Sequence, residues 1–94
     1  RDPRIVPSAV RFLGDFDEGV RYAAAEAVLA QGTTDGREGL LAVLANPSEE
    51  SNRLRARIAD AFATRGWTLG DRARDVAARP PAGWQVRGQT LVRA

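Results

Sequence analysis

The sequence predicts an all-α protein: an α-solenoid of antiparallel helix pairs with a C-terminal β-hairpin cap. Three observations point there. A nine-residue pattern recurs 34 positions on, with Val20-Arg21-Tyr22-Ala23-Ala24-Ala25-Glu26-Ala27-Val28 matching Leu54-Arg55-Ala56-Arg57-Ile58-Ala59-Asp60-Ala61-Phe62. A period between about 20 and 50 residues marks stacked repeats, each a unit that cannot bury its apolar face alone. Apolar residues then recur at helical spacing in segments ended by Gly or Pro. After Pro80-Pro81 the pattern changes to a period of two.

The first helix is expected from about Pro3 to Gly14, with Val6, Val10 and Leu13 on one face. Pro3 suits a first turn, and Pro7 is an alternative start. The second helix has Asp17 as N-cap and Glu18 in its first turn, where the helix dipole favours an acid. Val20, Ala23, Ala24, Ala27 and Val28 form its apolar stripe, and Gly32 ends it. The stripe is mostly Ala, which lets a neighbouring helix approach closely.

Thr34 or Asp35 caps the third helix, and Glu38 lies near a capping-box position. Leu40, Leu41, Leu44 and Ala45 are its inner face. Asn46-Pro47 closes it, because the residue before Pro is pushed out of helical geometry. Ser48 is a candidate cap for the fourth helix, with Glu49 and Glu50 in its first turn; Ser51 is the rival start. Leu54, Ile58, Ala61 and Phe62 face inward, Gly66 stops the helix, and Trp67 and Leu69 fold back onto the core. Asp71 caps a short fifth helix with Ala73, Val76 and Ala77 inside, and Pro80-Pro81 ends it. Trp84–Arg87 and Thr90–Arg93 then read as strands around Gly88-Gln89, a type II′ pair. That register sets Val86 opposite Leu91, with Trp84 on the same face. A lone hairpin is marginal in water, so this face is expected on the last helices.

Ninety-four residues make one small domain at most. Residues 1–79 are expected to hold about two and a half helix pairs and residues 80–94 the cap. The sequence has neither Cys nor His, which removes disulfides, thiolate ligands and the commonest general base. All fourteen basic residues are Arg. Charge is split along the chain. Residues 12–50 hold eight acids and two Arg, a net of −6, whereas residues 51–79 hold seven Arg and three Asp, a net of +4. Such a split can orient a partner or a neighbouring protomer. No apolar run reaches membrane-spanning length and nothing at the start looks like a signal peptide, so a cytoplasmic location is expected. Arg1 opens a sequence without Met, from which we expect a processed chain or a piece of a longer protein.

These residues resemble HEAT repeats of the short phycobilisome-lyase-like kind. In that family the first helix of each pair opens with Asp, continues to Val-Arg, and passes through small residues to Ala-Leu. Here Asp15 and Asp17 precede Val20-Arg21, and Ala24, Ala27, Val28 and Leu29 follow. In the next copy Asn46 stands in the Asp position and Leu54 in the Val position, with three more residues between them. The resemblance covers roughly residues 4–66. It implies that Arg21 bonds to Asp15 or Asp17, and Arg55 to Asn46, across the turns. It also implies the C-terminal end of a longer array, capped by Trp67, Trp84, Val86 and Leu91.

No catalytic set is visible, and Ser8, Ser48 and Ser51 all lie near helix starts, where capping explains them. The expected function is therefore a non-catalytic protein–protein interaction scaffold without cofactor or metal. Arg37, Glu38, Arg72 and Asp75 are its candidate exposed positions. The charge split also makes self-association a possible mode. Arg53 and Arg57, four apart and so on one helix face, add a basic patch with Arg72 and Arg74. That patch carries an alternative, nucleic-acid binding, which the acidic first half opposes. A second alternative, an accessory or lyase-like factor for a chromophore protein, rests on the family resemblance alone.

Overall fold

The computed structural model describes residues 4–94; Pro3, the expected first-turn residue, lies outside them. Among the described residues the elements are α1 (Ile5–Val10), a 3-10 turn (Arg11–Gly14), α2 (Glu18–Ala30), α3 (Arg37–Ala45) and α4 (Asn52–Arg65). A 3-10 turn (Gly70–Arg72), α5 (Ala73–Ala78), β1 (Trp84–Arg87) and β2 (Thr90–Arg93) follow. The protein is thus mostly helical with one two-stranded antiparallel sheet. It divides into two compact units, Arg1–Val43 and Leu44–Ala94, with the boundary inside α3.

In the first unit α1 and its 3-10 continuation pack on α2. Val6, Ala9 and Leu13 point inward, with Ala24, Ala25, Val28 and Leu29 from α2. The stripe expected on α2 is therefore turned by about one residue, or about 100° of helix. Val20 and Ala23 are exposed, while Ala25 and Leu29 are buried. The cause is size. Val28 is inside in either phase, and the turn exchanges Val20 for the larger Leu29, whose burial removes more apolar area from water. Asp17 caps α2 as expected, its Oδ1 accepting from the Val20 N–H at 3.2 Å.

Two glycines let α3 start close to the other helices of this unit. A Cβ on Gly36 would lie 2.6 Å from Val28 Cγ1 and 3.1 Å from Val6 Cγ1, and one on Gly39 would lie 3.2 Å from both Leu13 Cδ1 and Val10 Cγ1. Gly36 also has φ +73°, the left-handed region that other L-residues avoid.

In the second unit Leu54, Ile58, Ala59, Ala61 and Phe62 of α4 are buried with Leu69 and Val76. The rivalry between caps is resolved at Ser51, whose Oγ accepts from the Leu54 N–H at 3.1 Å. Ser48 is left in the preceding turn, where its N–H donates to Asn46 Oδ1 at 2.9 Å. Glu49 and Glu50 consequently precede α4 instead of lying in its first turn. Gly66 ends α4 in the left-handed region, and the Trp67 N–H closes back on the Phe62 carbonyl at 2.9 Å. The Trp67 ring meets Phe62 edge-on at 5.2 Å, the apolar contact that accompanies such helix ends.

Asp71 does not cap α5. It sits in the 3-10 turn, and α5 begins after Arg72 with no side-chain cap. With only six residues, α5 has room for one inward row, so Val76 is buried and Ala77 is exposed. The hairpin has the expected register, Val86 opposite Leu91 and Trp84 opposite Arg93. Gly88 has φ +66° and Gln89 is not in the positive-φ region, which fits a II′ turn and excludes I′. β2 packs on α4 and β1 on α5, burying Trp84 and Leu91. The Leu69 N–H donates to the Gln89 carbonyl at 2.7 Å, tying the turn to the loop after α4.

The two glycine types separate in a stability measurement. Gly36→Ala combines a left-handed backbone with a clash and is expected to cost about 2–4 kcal/mol in urea unfolding. Gly66→Ala, with φ +69° but nothing within 4 Å of the new Cβ, is expected to cost only about 1 kcal/mol.

Candidate interaction surface

The turns before α2 and α4 are built alike. Asp15 Oδ1 accepts from the Asp17 N–H at 2.9 Å, and 34 residues on Glu49 Oε2 accepts from the Ser51 N–H at 3.1 Å. The caps Asp17 and Ser51 then accept from Val20 and Leu54, also 34 apart. The counterpart of Asp15 is therefore Glu49, not Asn46, and the repeat closes without an insertion.

Arg21 meets this turn through backbone oxygens. Its Nη1 donates to the carbonyls of Asp15 at 2.9 Å and Phe16 at 3.0 Å. Arg55 does not bond Asn46 as expected. It is buried, and its Nη2 donates to the Leu44 carbonyl at 3.4 Å and to the carbonyl of Arg79. Arg79 takes the expected role, donating from Nη2 to the Asn46 carbonyl at 3.2 Å and to the Glu49 carbonyl. Asn46 uses its side chain on Ser48 instead. The two arginines thus join the end of α3, the start of α4 and the end of α5 within the second unit.

Burial lowers the Arg55 pKa from its ordinary value, Arg79 lowers it further, and Glu49 raises it. Arginine starts so high that the group stays charged at any working pH. Arg55 Nε and Arg79 Nε are buried without a hydrogen-bond partner, so the cluster is held by carbonyl oxygens rather than by full charge pairing.

The predicted interaction positions are shared between the two units. Arg37 and Glu38 belong to the first unit and pair with each other at 2.6 Å. Arg53, Arg72 and Asp75 are exposed in the second unit, and Arg57 is half-buried there. Trp84 is a core residue, with the Arg93 guanidinium 4.2 Å above its ring centroid. Arg93 also reaches Asp60 Oδ1 at 3.4 Å. Among the described residues no group of three His, Cys, Asp or Glu side chains has a metal-site arrangement. No helix is long and apolar enough to cross a membrane among those residues.

A different surface stands out. Ala9 and Phe12 on one side, with Val20, Ala23, Ala24 and Ala27 of α2 on the other, line an open apolar groove of about 300 Å³. Phe12 is 43% exposed, Val20 38% and Phe16, in the turn beyond the groove, 101%. The repeat gives a contrast, since Leu54, the counterpart of Val20, is fully buried. The same row of the repeat is therefore covered in one copy and open in the other. Sequence reasoning placed Val20 and Ala23 in the core and gave Phe12 and Phe16 no role. The available signal was Phe16 itself, a large aromatic between two turn acids with no apolar row to join.

Comparison of the chain with protein-family models, with curated proteins and with solved structures finds no match.

Arg55→Ala is expected to lower unfolding stability by about 2–4 kcal/mol, because it leaves the carbonyls of Leu44 and Arg79 without their donor and opens a cavity. Arg55→Lys should recover only part of this in the same denaturant titration, since an ammonium lacks the planar fork.

Proposed function

We propose that this chain is a non-catalytic protein-interaction module built of HEAT-like helix pairs, working in the cytoplasm. The open groove of the first unit carries the proposal. An apolar row that leaves Phe12 and Val20 exposed costs free energy in water, and that cost is relieved when another protein covers the row. The recurrence of the acid, cap, aliphatic and Arg positions at 34 residues supports the repeat reading, because it extends from side-chain type to hydrogen bonding. The cationic side has less support. Arg53 and Arg57 already interact within the chain, which weakens them as a phosphate-binding pair.

A photoreactive benzoylphenylalanine at position 20 tests this, with position 64, exposed in the second unit, as control. Irradiation in an extract of the source cells should give protein adducts at position 20 well above those at 64. Equal or absent adducts at the two positions would contradict the reading.

A further inference from the structure

We infer that the Asp35–Gly36 bond is a site of spontaneous covalent modification, where Asp35 isomerises to iso-aspartate and so loosens the first unit as the protein ages. Asp35 is the only aspartate followed by glycine in the sequence. The pair occupies the centre of the turn between α2 and α3. The Arg37 N–H donates across it to the Thr34 carbonyl at 3.2 Å, and Gly36 has φ +73°, which together make a type II turn. Asp35 is exposed. Among the described residues neither its carboxylate nor the Gly36 N–H is held by a hydrogen bond.

The reaction needs the Gly36 nitrogen to reach the Asp35 side-chain carbon. Flipping the peptide plane between the two residues brings it round. That flip reverses the sign of φ at position 36, which glycine tolerates and other residues resist. It leaves the Gly36 Cα in place, so the packing around that atom does not oppose it. The protonated carboxyl then loses its hydroxyl with the amide proton as water, and the new C–N bond closes a succinimide. Water adds back at either ring carbonyl. Opening at the side-chain carbonyl restores Asp35, whereas opening at the main-chain carbonyl routes the chain through the β-carbon. Composition is unchanged, and no oxidant or cofactor takes part. Every other described aspartate is followed by a residue whose side chain crowds the nitrogen. Asp15 and Asp17 also hold N–H groups of their own turn, and Asp60 and Asp75 lie inside α4 and α5.

The product lengthens the main chain by one carbon beside a residue without spare room. Even a Cβ on Gly36 would lie 2.6 Å from Val28 Cγ1 and 3.1 Å from Val6 Cγ1. Close-packed interiors register a single added methylene, so the start of α3 must shift against α1 and α2.

The chain is incubated for weeks at body temperature in neutral buffer, then cut with a protease that cleaves before aspartate but not before iso-aspartate. Fragmentation by electron transfer confirms the isomer. Iso-aspartate at position 35 should exceed that at Asp60 or Asp75 by ~10-fold, because only Gly36 lacks a shielding side chain. Asp35→Glu, at an exposed site, should remove the signal, and the aged chain should unfold at lower urea concentration than this variant aged in parallel. Equal isomerisation at Asp35, Asp60 and Asp75 would overturn the inference. So would formation in urea but not in buffer, which would show that the fold blocks the flip, or an aged chain whose urea midpoint matches that of Asp35→Glu.

Discussion

The carbonyl oxygens left over where helices end are the constraint around which this structure is arranged. A helix leaves its last carbonyls without intrahelical partners, and buried ones must find donors elsewhere. The chain meets this demand with arginine. Arg21 supplies two carbonyls in the turn before its own helix. Arg55 and Arg79 supply four across three helix ends of the second unit. A guanidinium suits this role because its donors are fixed in a plane and its charge strengthens each bond. The cost is a buried cation. It is met by several oxygen dipoles and the nearby Glu49 carboxylate, itself bound to the Ser51 N–H.

The same device separates the two copies of the repeat. In the first, Arg21 stays within six residues of its targets. In the second, Arg55 reaches as far as Arg79, which in turn answers to Asn46 and Glu49. α5 and the hairpin behind it are thereby attached to the turn that starts α4. The row of α4 that starts at Leu54 is covered, while the matching row of α2, from Val20, borders an open groove with Phe12 on its other side. An open apolar surface thus arises where one copy of a repeated pattern lacks the covering that the other has.

Much of the fold could be read in advance where local chemistry admits a single answer. Gly88-Gln89 allows one tight turn, and that turn forces Val86 against Leu91. On α4 the long side chains of Leu54, Ile58 and Phe62 leave no doubt about the inner face. On α2 they do leave doubt. Ala dominates both possible stripes and Val28 belongs to both, so the choice falls between Val20 and Leu29 and appears only when areas are compared. Ser48 and Ser51 are equivalent as sequence, each braced by an acceptor two residues earlier, Asn46 and Glu49, and only the Ser51 hydroxyl meets a helix N–H, that of Leu54. Arg79 carried no warning at all, because its partners lie 30 and 33 residues away. The groove was hidden for the same reason as the α2 phase: residues assigned to the core are its walls.

The second unit depends on the Arg55 guanidinium being locked onto main-chain oxygen. Nitrogen-resolved NMR of the arginine side chains measures this directly. Arg55 should show separate Nη proton signals, slow exchange with water, and a coupling through the hydrogen bond to the Arg79 carbonyl carbon. A single averaged signal exchanging as fast as those of the exposed arginines would contradict it.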